Sequence, residues 1–188
     1  MRTDPVAAAM RAAPRADYLP EGARGRAADD VPISIGHGAT CSQPSTVATM
    51  LRALHAGPGH RVLDVGAGSG WTTALLAHVV GPAGRVVGVE LETELAEAAE
   101  ARLRRDGLDH ASVLAVPPGV LGRAEDGPFD RILVSAMAQQ WPAALEDQLA
   151  DAGRMVLPWR GRLMVAERAG EEVRRDQEPG WYRFVPLR

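Results

Sequence analysis

Apolar positions switch between two periods along this chain. Val47, Met50, Leu51 and Leu54 share one face of a helix that Ser42 caps, that takes in Pro44 early and that Gly57 ends. The run Arg61-Val62-Leu63-Asp64-Val65 then reads as a buried strand. A glycine loop over 66–70 leads into a helix over 71–80, and a second strand covers 85–90. Thr93 is expected to cap a helix reaching about Arg105, with Gly107 beyond its end. Strands follow near 111–116 and 129–135, then a helix near 142–150 and a strand near 154–157. Two last strands are expected near 163–167 and 181–185.

Alternation of strand and helix predicts a parallel sheet with helices on both faces. Continuous apolar runs such as Arg85-Val86-Val87-Gly88-Val89 suit strands buried on both sides. The terminal strands have no helix between them and should pair antiparallel. Before residue 42 the pattern is looser. Asp4 and Pro5 fit an N-cap and first turn of a short helix to about Ala13. Arg2, Arg11, Arg15, Arg24 and Arg26, punctuated by Pro5, Pro14 and Pro20, make the rest a loop-rich cap. The expected organisation is one domain over 1–188, with 1–41 as cap and covering segment and 42–188 as core.

Composition narrows the function classes. At 46% hydrophobic and 24% charged, the chain has material for a core and is not a disordered sequence. No run approaches the ~18 consecutive apolar residues of a membrane span. A net charge of −3 points to neither nucleic acid nor a membrane surface as partner. All 21 basic residues are arginine, so no lysine Schiff base or lysine general base is available. Cys41 is the only cysteine, which precludes an intrachain disulfide and suits a reducing cytoplasm. Arg2, Asp4, Pro5 and Arg11 interrupt any secretory signal. The expectation is a cytoplasmic monomer. His37, His55, His60, His78 and His110 lack metal-ligand spacing, and no metal is assigned.

The loop Asp64-Val65-Gly66-Ala67-Gly68-Ser69-Gly70 carries the clearest chemistry. Glycines after a strand and before a helix let a ligand approach the backbone closely. Glu90 ends the next strand, at a spacing that suits an acid accepting bonds from a ribose diol. A dinucleotide fingerprint needs a third small residue where this chain has Trp71. Asp64 beside the loop suits the ammonium of a methionine moiety and not a pyrophosphate. These two features favour S-adenosylmethionine over a nicotinamide dinucleotide.

Further segments carry a family resemblance. Asp30-Val31-Pro32-Ile33-Ser34-Ile35-Gly36 and Gly38-Ala39-Thr40-Cys41-Ser42-Gln43-Pro44 precede the glycine loop. Gly127-Pro128-Phe129-Asp130, Pro142-Ala143-Ala144-Leu145 and Gly153-Arg154-Met155-Val156-Leu157-Pro158 follow it, with Phe184-Val185-Pro186-Leu187 at the end. Together they resemble the protein-L-isoaspartate O-methyltransferases over most of the chain. The stretch around Ser42 is the specific part. The resemblance implies a Rossmann-like class I methyltransferase fold with a seven-stranded, mostly parallel sheet and a short N-terminal helical cap. It implies S-adenosyl-L-methionine as methyl donor and an isoaspartyl carboxylate in a damaged protein or peptide as acceptor. By the same resemblance Ser42 is the active-site serine. Ala39, Thr40, Cys41, Ser42, Asp64, Val65, Gly66, Ala67, Gly68, Glu90, Leu91 and Gly119 are the implied cofactor contacts.

Departures from the family pattern are specific. The family's G-D-G after the third strand is Pro117-Pro118-Gly119 here, which removes an acceptor for the adenine amine. Cys41 replaces the usual isoleucine. The small-residue segment after the fourth strand is the bulkier Ser135-Ala136-Met137-Ala138-Gln139-Gln140-Trp141. The sequence ends at Arg188, just after a V-P-L where the family continues. The leading expectation is therefore an isoaspartyl carboxyl methyltransferase of protein repair. A carboxyl methyltransferase dedicated to one peptide or small acid, and a degenerate S-adenosylmethionine-binding protein, stand beside it.

Overall fold

A computed structural model describes residues 4–188; Arg2 lies outside the described residues. Seven strands form the main sheet in the order β5-β4-β3-β6-β7-β8-β9. These are β3 (Arg61–Val65), β4 (Arg85–Glu90), β5 (Ala111–Ala115), β6 (Phe129–Val134), β7 (Leu149–Trp159), β8 (Arg162–Ala169) and β9 (Glu172–Glu178). Strands β3 to β6 and the β6–β7 pair run parallel, while β7–β8 and β8–β9 are antiparallel. A separate hairpin joins β1 (Ile33–Gly36) to β2 (Ala39–Cys41). The order reverses between β4 and β6, around β3, and this switch point is where open α/β sheets hold ligands.

Helices cover the two faces unequally. α1 (Pro5–Ala12), α2 (Pro44–Leu54), α3 (Trp71–Val80) and α4 (Thr93–Arg105) all pack into the cluster that includes Val62, Val86, Leu133 and Val156. The opposite cluster, around Leu63, Val87, Ile132 and Met155, is closed by Leu145 of the single-turn α5 (Ala143–Glu146) and by connecting segments. Among the described residues no helix is long and apolar enough to cross a membrane.

Several sequence expectations need correction. The helix expected over 142–150 stops at Glu146, because the Gln148 carbonyl accepts from Phe129 N at 2.8 Å and draws the chain into the sheet. The strand expected over 181–185 is irregular chain. The seventh strand is β9 instead, a charged edge in which Val173 is the one apolar residue. Its composition hides it from periodicity but suits an edge that must not recruit another strand. Gly57 does not end α2; His55 does, in the left-handed conformation (φ 53°). Glu92, not Thr93, is the N-cap of α4.

Ser42 does not cap α2 either. The helix begins at Pro44 with Gln43 as its N-cap, and Gln43 offers no side-chain bond. Asp30 does that work from a distance, accepting from Ser45 N at 2.9 Å and from Ser45 Oγ at 2.7 Å. A proline at the first helical position needs no acceptor, so the first free N–H is that of Ser45. The Ser42 hydroxyl is left out of the cap.

Candidate functional site

β3 delivers Asp64 and Val65 to the glycine loop, which turns into α3. Gly66 and Gly68 lie at φ +80° and +54°, a region L side chains adopt only with strain. The Val89 carbonyl accepts from both Gly66 N and Ala67 N, tying the loop to β4. At Gly68 an added Cβ would stand 3.1 Å from Ile35 Cδ1, so hairpin and loop approach closely there.

Two acids flank the loop in different surroundings. Asp64 is fully buried, and its Oδ2 accepts from Thr72 Oγ1 and Thr73 Oγ1, each at 2.7 Å. Its Oδ1 has Ser135 Oγ at 3.5 Å, a marginal hydrogen-bond distance. Burial pushes the Asp64 carboxyl up to about 6, with the Glu90 charge adding and the three hydroxyls opposing. Glu90 is held by backbone. Its Oε2 accepts from Gly68 N at 2.7 Å, and its Oε1 from Leu91 N at 2.8 Å and Glu92 N at 3.1 Å.

A cavity of about 290 Å³ opens at the carboxyl ends of β3 and β4. Of the sequence-predicted residues, Ala39, Thr40, Val65, Gly66, Gly68, Glu90 and Leu91 line it. A crevice of about 30 Å³ continues from it, walled by Thr40, Cys41, Ser42, Ala67, Thr72 and Ser135 among others. Thr40, Gly66, Gly68 and Ser135 belong to both walls. Asp64 lines neither space, and lies beneath the loop. Gly119 is exposed and also lines neither, as does Pro118. Sequence reasoning missed Thr72, Val116, Val120 and Leu121 as lining residues. It did not assign the tail 185–188 to the site, although that tail closes the cavity, and it took Val185 for the end of a strand. The family-like V-P-L was the available signal for that tail.

The cap holds the covering segment in place. Arg15 is buried and donates to the carbonyls of Ala27, Asp29, Val31 and Cys41, at 2.8–3.3 Å. Trp71 Nε1 donates to Ala13 O at 3.0 Å. Thr40 and Ser42 are thereby fixed over the loop from two directions. Burial raises the Cys41 thiol, which keeps it a neutral packing group. On the other side, Met137 N donates to Val185 O and Leu187 N to Met137 O, at 2.7 and 2.9 Å. The bulky segment after β6 thus braces the tail. At the mouth, Arg188 pairs with Glu92 at 2.7 Å. An outer groove of about 710 Å³, lined by Pro32, Gln43, Thr46, Trp181, Tyr182 and Phe184 among others, meets the cavity at Thr40 and Val185. Among the described residues no group of three or more His, Cys, Asp or Glu side chains could hold a metal ion.

Comparison with known proteins agrees with this geometry. The family model for protein-L-isoaspartate(D-aspartate) O-methyltransferase matches residues 1–188. A Methanopyrus kandleri protein-L-isoaspartate O-methyltransferase is 41% identical over 191 residues, covering 100% of this chain and 84% of its own length. The Aeropyrum pernix relative of the same name is 46% identical over 153 residues, covering 81% of this chain and 59% of its own. A solved protein-L-isoaspartate O-methyltransferase superposes with TM-score 0.87 at 25% identity, over 98% of this chain and 61% of that one. A Plasmodium falciparum chain described as the same enzyme, solved with S-adenosyl-L-homocysteine, gives TM-score 0.84 at 27% identity over 100% and 92%. The chain belongs to the protein-L-isoaspartate(D-aspartate) O-methyltransferase family.

Proposed function

We propose that this protein methylates the α-carboxylate of L-isoaspartyl residues in damaged proteins or peptides, using S-adenosyl-L-methionine. The observation that carries the reading is the meeting of three spaces at Thr40, two residues from Ser42. The glycine-loop cavity, the narrow crevice and the outer groove converge there. The Ser42 hydroxyl stands in the crevice wall, released from the helix cap.

The residues fit a nucleoside donor. The loop offers bare backbone at Gly66 and Gly68. Glu90 has about four lone-pair sites, of which three N–H groups take three, leaving capacity for a ribose hydroxyl. The neighbouring wall of Val116, Val120 and Leu121 is apolar and suits a base. When bound, the donor supplies an electrophilic methyl on sulfonium.

The chain's own task is alignment. A carboxylate with pKa ~4 is already anionic at neutral pH and needs no general base. Ser42 donates to the acceptor carboxylate and holds one oxygen in line, and the brace of Arg15 on Cys41 O keeps that segment in register. The covering hairpin and tail exclude water. Once esterified, the acceptor carries methoxide as leaving group, the following backbone nitrogen closes a succinimide, and hydrolysis of that ring returns part of the product to aspartate.

The same reading makes 1–188 one catalytic unit, with 1–41 as cover and 42–188 as core, working as a monomer in the cytoplasm without nucleic-acid or membrane partners. The charge of −3 and the buried lone Cys41 support it. The test is radiolabelled methyl transfer to an isoaspartyl peptide beside its aspartyl twin. Label on the first and not the second is expected. Label on neither, with transfer to a small carboxylic acid, would overturn the protein-repair reading.

A further inference from the structure

The outer groove is the largest of the three spaces, about 710 Å³ against 290 Å³ for the donor cavity, and its two walls differ in chemistry. One wall is the start of α2, where Gln43 and Thr46 present an amide and a hydroxyl. Such groups both donate and accept, and suit the backbone of an extended polypeptide whatever its side chains. The other wall is the segment 180–185. Its Trp181 is 75% exposed, the most exposed large apolar side chain among the described residues. The ring is nevertheless held, with the Arg162 guanidinium 3.6 Å from its centre and Arg162 Nη1 donating to Gly180 O at 3.2 Å. Close by in the chain stands Arg183, exposed and the one charged side chain lining either wall. Asp30, behind the α2 wall, has both carboxylate oxygens on Ser45 and does not line the groove.

Resting on the acceptor reading above, we propose that this groove holds the residues flanking the isoaspartate, and that Arg183 makes it select an acidic side chain among them. Gln43 follows Ser42 directly, and Thr40 and Val185 belong to both the groove and the donor cavity. A carboxylate held at Ser42 therefore has its flanking chain beside the groove, since the donor fills the other space. Trp181 gives that chain a fixed apolar platform, and a rigid indole loses little conformational entropy on binding. Two guanidinium groups, Arg162 and Arg183, stand at this wall and no acidic side chain lines either one, so the groove is locally basic although the whole chain carries −3. An acidic side chain beside the isoaspartate gains an ion pair with Arg183, and a basic one meets like charge. The contact lies at an exposed rim, so it acts on capture of the acceptor and not on the methyl-transfer step.

The experiment is steady-state methyl transfer to three isoaspartyl peptides that differ only in the residues on either side of the isoaspartate: glutamate, alanine or lysine. The unaltered protein is compared with Arg183→Gln, Arg183→Glu and a charge control, Arg85→Glu, at the amino end of β4, away from the cavity. In the unaltered protein kcat/KM should be ~5-fold higher with glutamate than with lysine at low salt, as an exposed ion pair allows, and the difference should lie in KM. It should vanish at about 1 M salt, where the screening length is about 3 Å. Arg183→Gln should bring the ratio toward one, Arg183→Glu should reverse it, and Arg85→Glu should keep it. A preference that survives in both Arg183 variants overturns the proposal. So does a preference that Arg85→Glu shifts equally, which would assign it to net charge. Equal transfer to all three peptides by the unaltered protein overturns this inference alone. Transfer to none of them removes the acceptor reading and this inference with it.

Discussion

The glycine loop is flanked by two acids handled in opposite ways. At one end Glu90 sits with three backbone N–H groups aimed at it, and it keeps a lone-pair site toward the cavity. At the other, Asp64 lies out of contact behind a screen of hydroxyls, and burial raises its pKa to about 6. Backbone donors are rigid and cannot turn round, so the Glu90 end is a fixed negative pole. The hydroxyls satisfy the Asp64 carboxylate and keep it from lining the cavity. On the function proposed above, the exposed pole at Glu90 is the one placed to meet the donor's ribose, while Asp64 acts only from behind its hydroxyls.

Removing the rigid end should have the largest effect. Glu90→Ala leaves three backbone N–H groups without their acceptor, and should cost about 3–5 kcal/mol of stability together with most cofactor affinity. Denaturant midpoints and calorimetry measure both. Glu90→Gln, which keeps one acceptor, should fall between. Equal stability of the alanine variant would mean that the loop does not depend on this acid.

The screened end predicts a pH signature. Folding raises the Asp64 pKa from the usual carboxylate value to about 6, so the protonated form is the one favoured in the fold. Its stabilising contribution is complete below the unfolded pKa, near pH 4, and is lost as pH rises through 6. The span is about 3 kcal/mol for a two-unit shift. Asp64→Asn should flatten that component. The stability difference between variant and parent, measured by urea unfolding from pH 4 to 8, should therefore change in the variant's favour as pH rises. A difference constant across that range would show Asp64 titrating normally.

Between the two poles, Ser42→Ala should slow methyl transfer by ~10-fold, about 1.4 kcal/mol, with little change in donor affinity. Because the hydroxyl is not a helix cap, the melting temperature should hardly move, and Ser42→Gly should be as slow as alanine. A rate restored by glycine would return the serine to a purely conformational role. The smallest effect belongs to the true cap. Asp30→Ala should cost about 1 kcal/mol in stability through the first turn of α2, with donor binding at both poles retained.

The parallel part of the sheet was legible because its information is local. In 61–65 and 85–90 every residue after the first is buried, so continuous apolar runs announced them. The glycine loop and Glu90 were legible for the same reason, through spacing within one strand–loop–helix–strand unit. β9 was not, since an exposed edge needs no apolar pattern, and the tail 181–185 was mistaken for a strand because its aromatic residues mimic one.

What the sequence alone determined is the alternation of strands and helices from α2 to β8, the glycine loop, and the acid that ends β4. Which hydroxyls meet which Asp64 oxygen was decided only by the packing of α3 and the end of β6 against β3. The release of Ser42 from capping depended on Asp30 arriving from 15 residues away. The closure of the cavity by 185–188 depended on backbone bonds to Met137. Periodicity records which side of an element is buried. It carries no record of which distant polar group satisfies a given N–H or carboxylate, because that partner is chosen by three-dimensional proximity once the chain has folded.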